Sequence, residues 1–119
     1  LYMLKRFAGS LGWALQGIAY ALKTQPHMRF HLLATLGVAA AGIWFNISLN
    51  HWLYVSFAVA LVWVTELINT AIESVVDLQT TEYHPLAKAA KDVAAGAVLV
   101  AAINSLIVAA VVFLPYLRQ

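Results

Sequence analysis

Between Phe30 and Ile47 the chain carries no charged residue, and His31 is its only ionisable group. Polarity returns only at Asn46, Ser48 and Asn50. Trp52 to Thr65 is again unbroken by charge, and a helical pattern continues through Glu66 to about Leu78. A polar loop follows from Gln79 to His84, and Pro85 is well placed to open another helix. From Val93 to Leu114 that segment holds only Asn104 and Ser105 among apolar and small residues. Three stretches are therefore long and apolar enough to cross a bilayer, with expected limits at 27–47, 50–78 and 85–115.

The first segment differs. Over 2–23, Phe7, Leu11, Ala14, Leu15, Ile18 and Leu22 recur at spacings of three and four, the mark of an amphipathic helix. Lys5, Arg6 and Lys23 near its ends suit a helix lying in the membrane interface, with a solvated helix packed on the bundle as the plainer alternative. Thr24, Gln25 and Pro26 break it from the next helix. The expected architecture is all-α: one interfacial amphipathic helix and three transmembrane helices in a single domain over 1–119.

Composition agrees with this. Charged residues make up 10% of the chain against about 25% in an ordinary soluble domain, so lipid must solvate much of the surface. No cleavable leader is expected, because the first long apolar run begins after about thirty residues. Lys5, Arg6, Lys23, Arg29, Lys88 and Lys91 fall on one side of the membrane and Arg118 on the other, which puts the amino terminus and the 79–84 loop in the cytoplasm. The absence of cysteine removes thiol chemistry and thiolate metal sites. A net charge of +2 without a basic run gives no footing for nucleic acid.

Chemistry concentrates on one helix face. Taking Glu66 as zero, Asn69, Glu73, Asp77 and Thr70 fall at about 300°, 340°, 20° and 40° around the helix, a polar stripe roughly 100° wide. The other face is Leu67, Ile68, Ala71, Ile72, Val75 and Val76, so the segment has not simply left the membrane. A carboxylate within a span costs about 2.5–3.5 kcal/mol on insertion scales and needs a purpose. Polar glue between helices is one, but three acids on one stripe exceed what adhesion requires. Glu66, the deepest, suits acceptance of a proton from a lipid hydroxyl, and the shallower Glu73 and Asp77 suit a hard cation such as magnesium. Lys88, Lys91 and Asp92 share one face at the start of the last helix, where ammonium groups and free N–H groups favour phosphate. No GxxxxGK[ST] or GxGxxG is present, so any nucleotide site is unconventional. His27 and His31 have the i, i+4 spacing of metal ligands but lack an evident third. Tyr83 and His84 could border a nucleotide base, and Trp13, Trp44, Trp52 and Tyr116 have the positions of an interfacial aromatic belt.

The run ELINTAIESVVD from Glu66 to Asp77, continued by EYHPLAK and AKD through Asp92, resembles the prokaryotic diacylglycerol kinase family over nearly the whole chain. The resemblance implies a homotrimeric lipid kinase of the bacterial cytoplasmic membrane, using ATP and Mg2+ at a composite site that opens to the cytoplasm. By position it makes Glu66 the catalytic base with Asn69 beside it, and Glu73 a metal ligand. It assigns Glu73, Asp77, Glu82, His84, Lys91 and Asp92 to nucleotide binding, and Arg29, Thr70 and Trp13 to the lining. HPLAK, DVAAGAVLVAA and ALKTQPHMRFH are similar to the Gram-positive branch, which points to undecaprenol ahead of diacylglycerol as acceptor. The family commonly has a second metal-binding glutamate where Gln25 stands here, which puts the strength of metal binding and the activity in question. A small oligomeric proton or cation channel is the alternative of another class. It fits less well, because the outer halves of the spans offer almost no polar lining.

Overall fold

The structure, a computed structural model, describes residues 1–119. Four helices follow one another: α1 (Tyr2–Thr24), α2 (Pro26–Phe45), α3 (Leu49–Gln79) and α4 (Pro85–Leu117). α2, α3 and α4 are each long and apolar enough to cross a membrane. The protein is an all-helical integral membrane protein, as the hydrophobic pattern requires.

The breaks have local causes. Gln25 takes an extended conformation (φ −114°, ψ 111°), ending α1 with its N–H donating to the Ala21 carbonyl, and Pro26 then occupies the first turn of α2. α2 stops at Phe45, two residues short of the expected limit, because Asn46 adopts the left-handed conformation (φ 51°, ψ 55°). Asparagine tolerates that geometry better than most residues. Ser48 caps α3 by accepting the His51 N–H at 3.3 Å. α4 continues two residues past its expected end, to Leu117, with Pro115 inside its last turn.

Packing is concentrated between α3 and α4, while α1 touches α2 and α3 only lightly. The core sits at the end of the bundle near the 46–48 turn, where Ile47, Val55 and Val112 are buried among Phe45, Trp52, Phe113 and Tyr116. Trp52 and Tyr116 are therefore packing residues rather than free members of an aromatic belt. The Trp52 indole lies directly over Gly42, where an added Cβ would come within 2.5 Å of it. Tyr116 hydrogen-bonds its hydroxyl to His51 Nδ1 at 3.2 Å. Trp44 is 84% exposed and keeps the position of a lipid-facing anchor.

Only 12 of 119 residues are buried, so an isolated protomer leaves most of its apolar surface for lipid or other protein to cover. On α1, Leu4, Phe7, Leu11 and Leu15 are all exposed. That is the face an interfacial helix presents to acyl chains.

Candidate active site

α3 is 31 residues long, about 46 Å, and exceeds the roughly 30 Å hydrocarbon core. Glu66 lies about 26 Å from the start of α3 and Asp77 about 42 Å, so the stripe runs from inside the apolar layer out through its edge. Burial follows that gradient: Glu66 is 1% exposed, Asn69 and Thr70 are buried, Glu73 is half-buried and Asp77 is exposed. The polar face has turned inward against protein, which removes most of its lipid contact.

The hydrogen bonds give each side chain a different state. Thr70 donates its hydroxyl to the Glu66 carbonyl at 2.9 Å, so that proton serves the helix backbone. Asn69 Nδ2 donates to Glu73 Oε1 at a long 3.5 Å, while Asn69 Oδ1 is buried without a donor. Glu66 Oε2 is likewise buried without an aligned donor, although His31 Nε2 lies 3.4 Å away. Unsatisfied buried oxygens are uncommon and costly, and here two fall within one turn of one helix.

His31 and His27 face different ways. The His31 ring turns from α2 toward α3 and Glu66, while His27 is exposed, so the two do not form a metal pair. No group of three His, Asp or Glu side chains converges within the protomer. Glu73, half-buried on the stripe, offers one carboxylate, which fits magnesium, since that ion binds through one or two carboxylates and completes its shell with phosphates and water.

At the exposed end of the stripe, Lys91 Nζ donates to Asp77 Oδ1 at 2.6 Å and ties α4 to α3. Lys88 pairs with Asp92 one turn along the same helix at 2.5 Å. Both pairs are solvent-exposed and contribute little to stability, leaving their ammonium groups free to exchange partners. His84 accepts the Leu86 N–H on Nδ1 at 3.1 Å and thereby caps α4, with its ring exposed beside Glu82. Gln25 is half-buried at the α1–α2 junction, and its carbonyl accepts the Met28 N–H at 3.1 Å. Arg29 is exposed and makes no ion pair within the protomer. Trp13 is 71% exposed on α1 and lies outside the α1–α3 crevice, which Ala14, Gly17, Tyr20 and Thr70 help to line.

The residue pattern did not single out a cavity of about 360 Å3 between α2, α3 and α4. Thirteen of its sixteen lining residues are hydrophobic, and His31, Thr35 and Ser105 are the polar ones. Such a lining suits a hydrocarbon chain better than a nucleotide. An apolar cavity, a buried carboxylate and an exposed cationic helix start thus succeed one another along the bundle.

Residues 12–113 match the family described as prokaryotic diacylglycerol kinase. The chain is 42% identical over 114 residues to an undecaprenol kinase of Bacillus subtilis, covering 96% of this chain and 93% of that protein. It is also 42% identical over 107 residues to a diacylglycerol kinase of Synechocystis, covering 89% of this chain but 61% of that longer protein. A diacylglycerol kinase of Escherichia coli is 31% identical over 102 residues, 86% of this chain and 84% of the relative. The chain belongs to the prokaryotic diacylglycerol kinase family and is a membrane-embedded lipid kinase.

Proposed function

We propose that this protein transfers the γ-phosphate of ATP to the hydroxyl of undecaprenol, with diacylglycerol the next choice of acceptor. The buried Glu66 carboxylate carries the reading, because an acid only 1% exposed stands within the span on the stripe that leads out to the exposed Asp77–Lys91 pair. In the transfer, the lipid O–H bond breaks and its proton passes to Glu66. The lipid oxygen bonds to the γ-phosphorus, and the bridging oxygen leaves with ADP. Asn69 orients the acceptor and Glu73, while Arg29 and Thr70 line the approach.

Lys91 and Asp92, with Asp77, Glu82 and His84 around them, bind the nucleotide at the mouth of the site. Glu73, and more weakly the Gln25 side-chain oxygen, would hold magnesium, which would neutralise charge on the phosphate. Three protomers in the bacterial cytoplasmic membrane, their polar ends toward the cytoplasm, complete the site. The sparse burial of the single chain supports such an assembly. The polyprenol is favoured by the near full-length match to the Bacillus protein and by the apolar cavity adjoining His31.

The test is transfer of labelled γ-phosphate from MgATP in mixed micelles, with undecaprenol and diacylglycerol offered separately and then in competition. Label on undecaprenol in both arms is expected. Label on diacylglycerol alone reverses the choice of acceptor, and label on neither overturns the activity.

A further inference from the structure

His31 is the one ionisable side chain in the apolar stretch of α2, and it is turned away from lipid. Its side chain is 14% exposed and that of Glu66 is 2% exposed, with Nε2 3.4 Å from Oε2. Burying an imidazole and a carboxylate against each other is costly unless one satisfies the other, and the acceptor oxygen here has no other candidate donor. α4 carries no titratable side chain from Val93 to Pro115. α1 brings only Tyr20 to its crevice with α3, level with Thr70 and Ser74.

A second cross-link fixes the height of the imidazole. Trp63 Nε1 donates to Thr35 Oγ1 at 2.9 Å, and Thr35 Oγ1 donates in turn to the His31 carbonyl at 2.7 Å. Thr35 is one turn after His31 on α2, and Trp63 is one turn before Glu66 on the antiparallel α3. The two rungs lock the register of the helices, so His31 cannot slide along α3 without breaking the Trp63 bond. The ring of Phe30 meets His31 edge-on at 5.7 Å and limits its rotation on the outer side.

We propose that His31 is a positioning residue for the phosphoryl transfer: its Nε2–H holds Glu66 Oε2 and leaves the other carboxylate oxygen aimed at the acceptor hydroxyl. This inference rests on the proposed role of Glu66 as base. His31 gains and loses no proton in the step; the hydroxyl proton goes to the free oxygen of Glu66 while His31 stays bonded to its partner. The arrangement resembles in logic any base whose tautomer or rotamer is fixed by a second group. The Trp63–Thr35 bond extends that support one turn further.

Two measurements on the full-length chain in mixed micelles test it. His31→Leu is expected to lower kcat for lipid phosphorylation by about 10- to 100-fold, the worth of a hydrogen bond to a charged group, with KM for MgATP unchanged. His31→Gln, which keeps an N–H donor of similar reach, is expected to recover most of that loss. Equal losses in both variants, or none in the leucine variant, overturn the proposal. In parallel, with histidine labelled with 15N and its His31 signal assigned by loss in His31→Gln, Glu66→Gln is expected to move the Nε2 resonance of His31 and leave those of His27, His51 and His84 in place. An unmoved resonance overturns the pairing even if lipid is phosphorylated. A moved resonance in a protein that labels no lipid keeps the pairing and removes the kinase reading beneath it. If the leucine variant fails to fold, the resonance decides alone.

Discussion

The two ends of the bundle are built on opposite principles. Near the 46–48 turn, Ile47, Val55 and Val112 are sealed among aromatic rings, Trp52 fills the space over Gly42, and the polar pair His51 and Tyr116 is mutually satisfied. At the other end, Glu66 and Asn69 are buried with oxygens left open, and the ion pairs of Lys88 and Lys91 are exposed. One end gains stability from apolar contact and closed hydrogen bonds. The other forgoes hydrogen bonds where a substrate can supply them, which is where strained and unsatisfied groups are expected in an enzyme.

Substitutions at the two ends should therefore separate stability from turnover. The largest effect is expected at Glu66, where glutamine keeps the shape but cannot take the proton, so lipid phosphorylation in a steady-state assay falls by about 10²-fold or more with the fold intact. Gly42→Val is the converse: the new side chain meets the Trp52 indole, and thermal or denaturant unfolding should show a loss of about 1–3 kcal/mol while kcat per folded molecule holds. Lys91→Met removes an exposed charge, so stability is expected to stay level while KM for MgATP rises by roughly tenfold, the worth of a charged phosphate contact. Tyr116→Phe loses one half-buried hydrogen bond to His51 and should cost about 1 kcal/mol in unfolding, with no change in turnover. The smallest effect is expected for Gln25→Glu, which adds a carboxylate at the proposed metal site and should shift half-saturation to lower magnesium; an unmoved titration argues against Gln25 as a ligand.

Much of this division was legible in the sequence, for definite reasons. A long apolar run of helical period must satisfy its own backbone in lipid, so the three spans follow from hydropathy and periodicity. The stripe of Glu66, Asn69, Glu73 and Asp77 follows from 3.6-residue periodicity, and its gradient of burial is what increasing distance along α3 demands. The role of His31 was not legible. Its i, i+4 spacing to His27 suggests a metal pair, but α2 turns only His31 inward. The signal that points the other way is His31 with Thr35 one turn on, matched by Trp63 with Glu66 one turn apart on α3. Seeing it requires the antiparallel register of two helices, which a single chain's periodicity does not state. The same holds for Trp52, whose position at the head of a span reads as an anchor until Gly42 opposite leaves a space that only a large ring fills.

The most direct test of the contrast is labelled phosphate transfer to lipid by the wild-type chain and by Glu66→Gln, with both first matched for unfolding midpoint. The account predicts label on the lipid with the wild type and its near disappearance in the variant at unchanged stability. Comparable label from both proteins would contradict it, because the buried carboxylate at that end would then serve no step of the reaction.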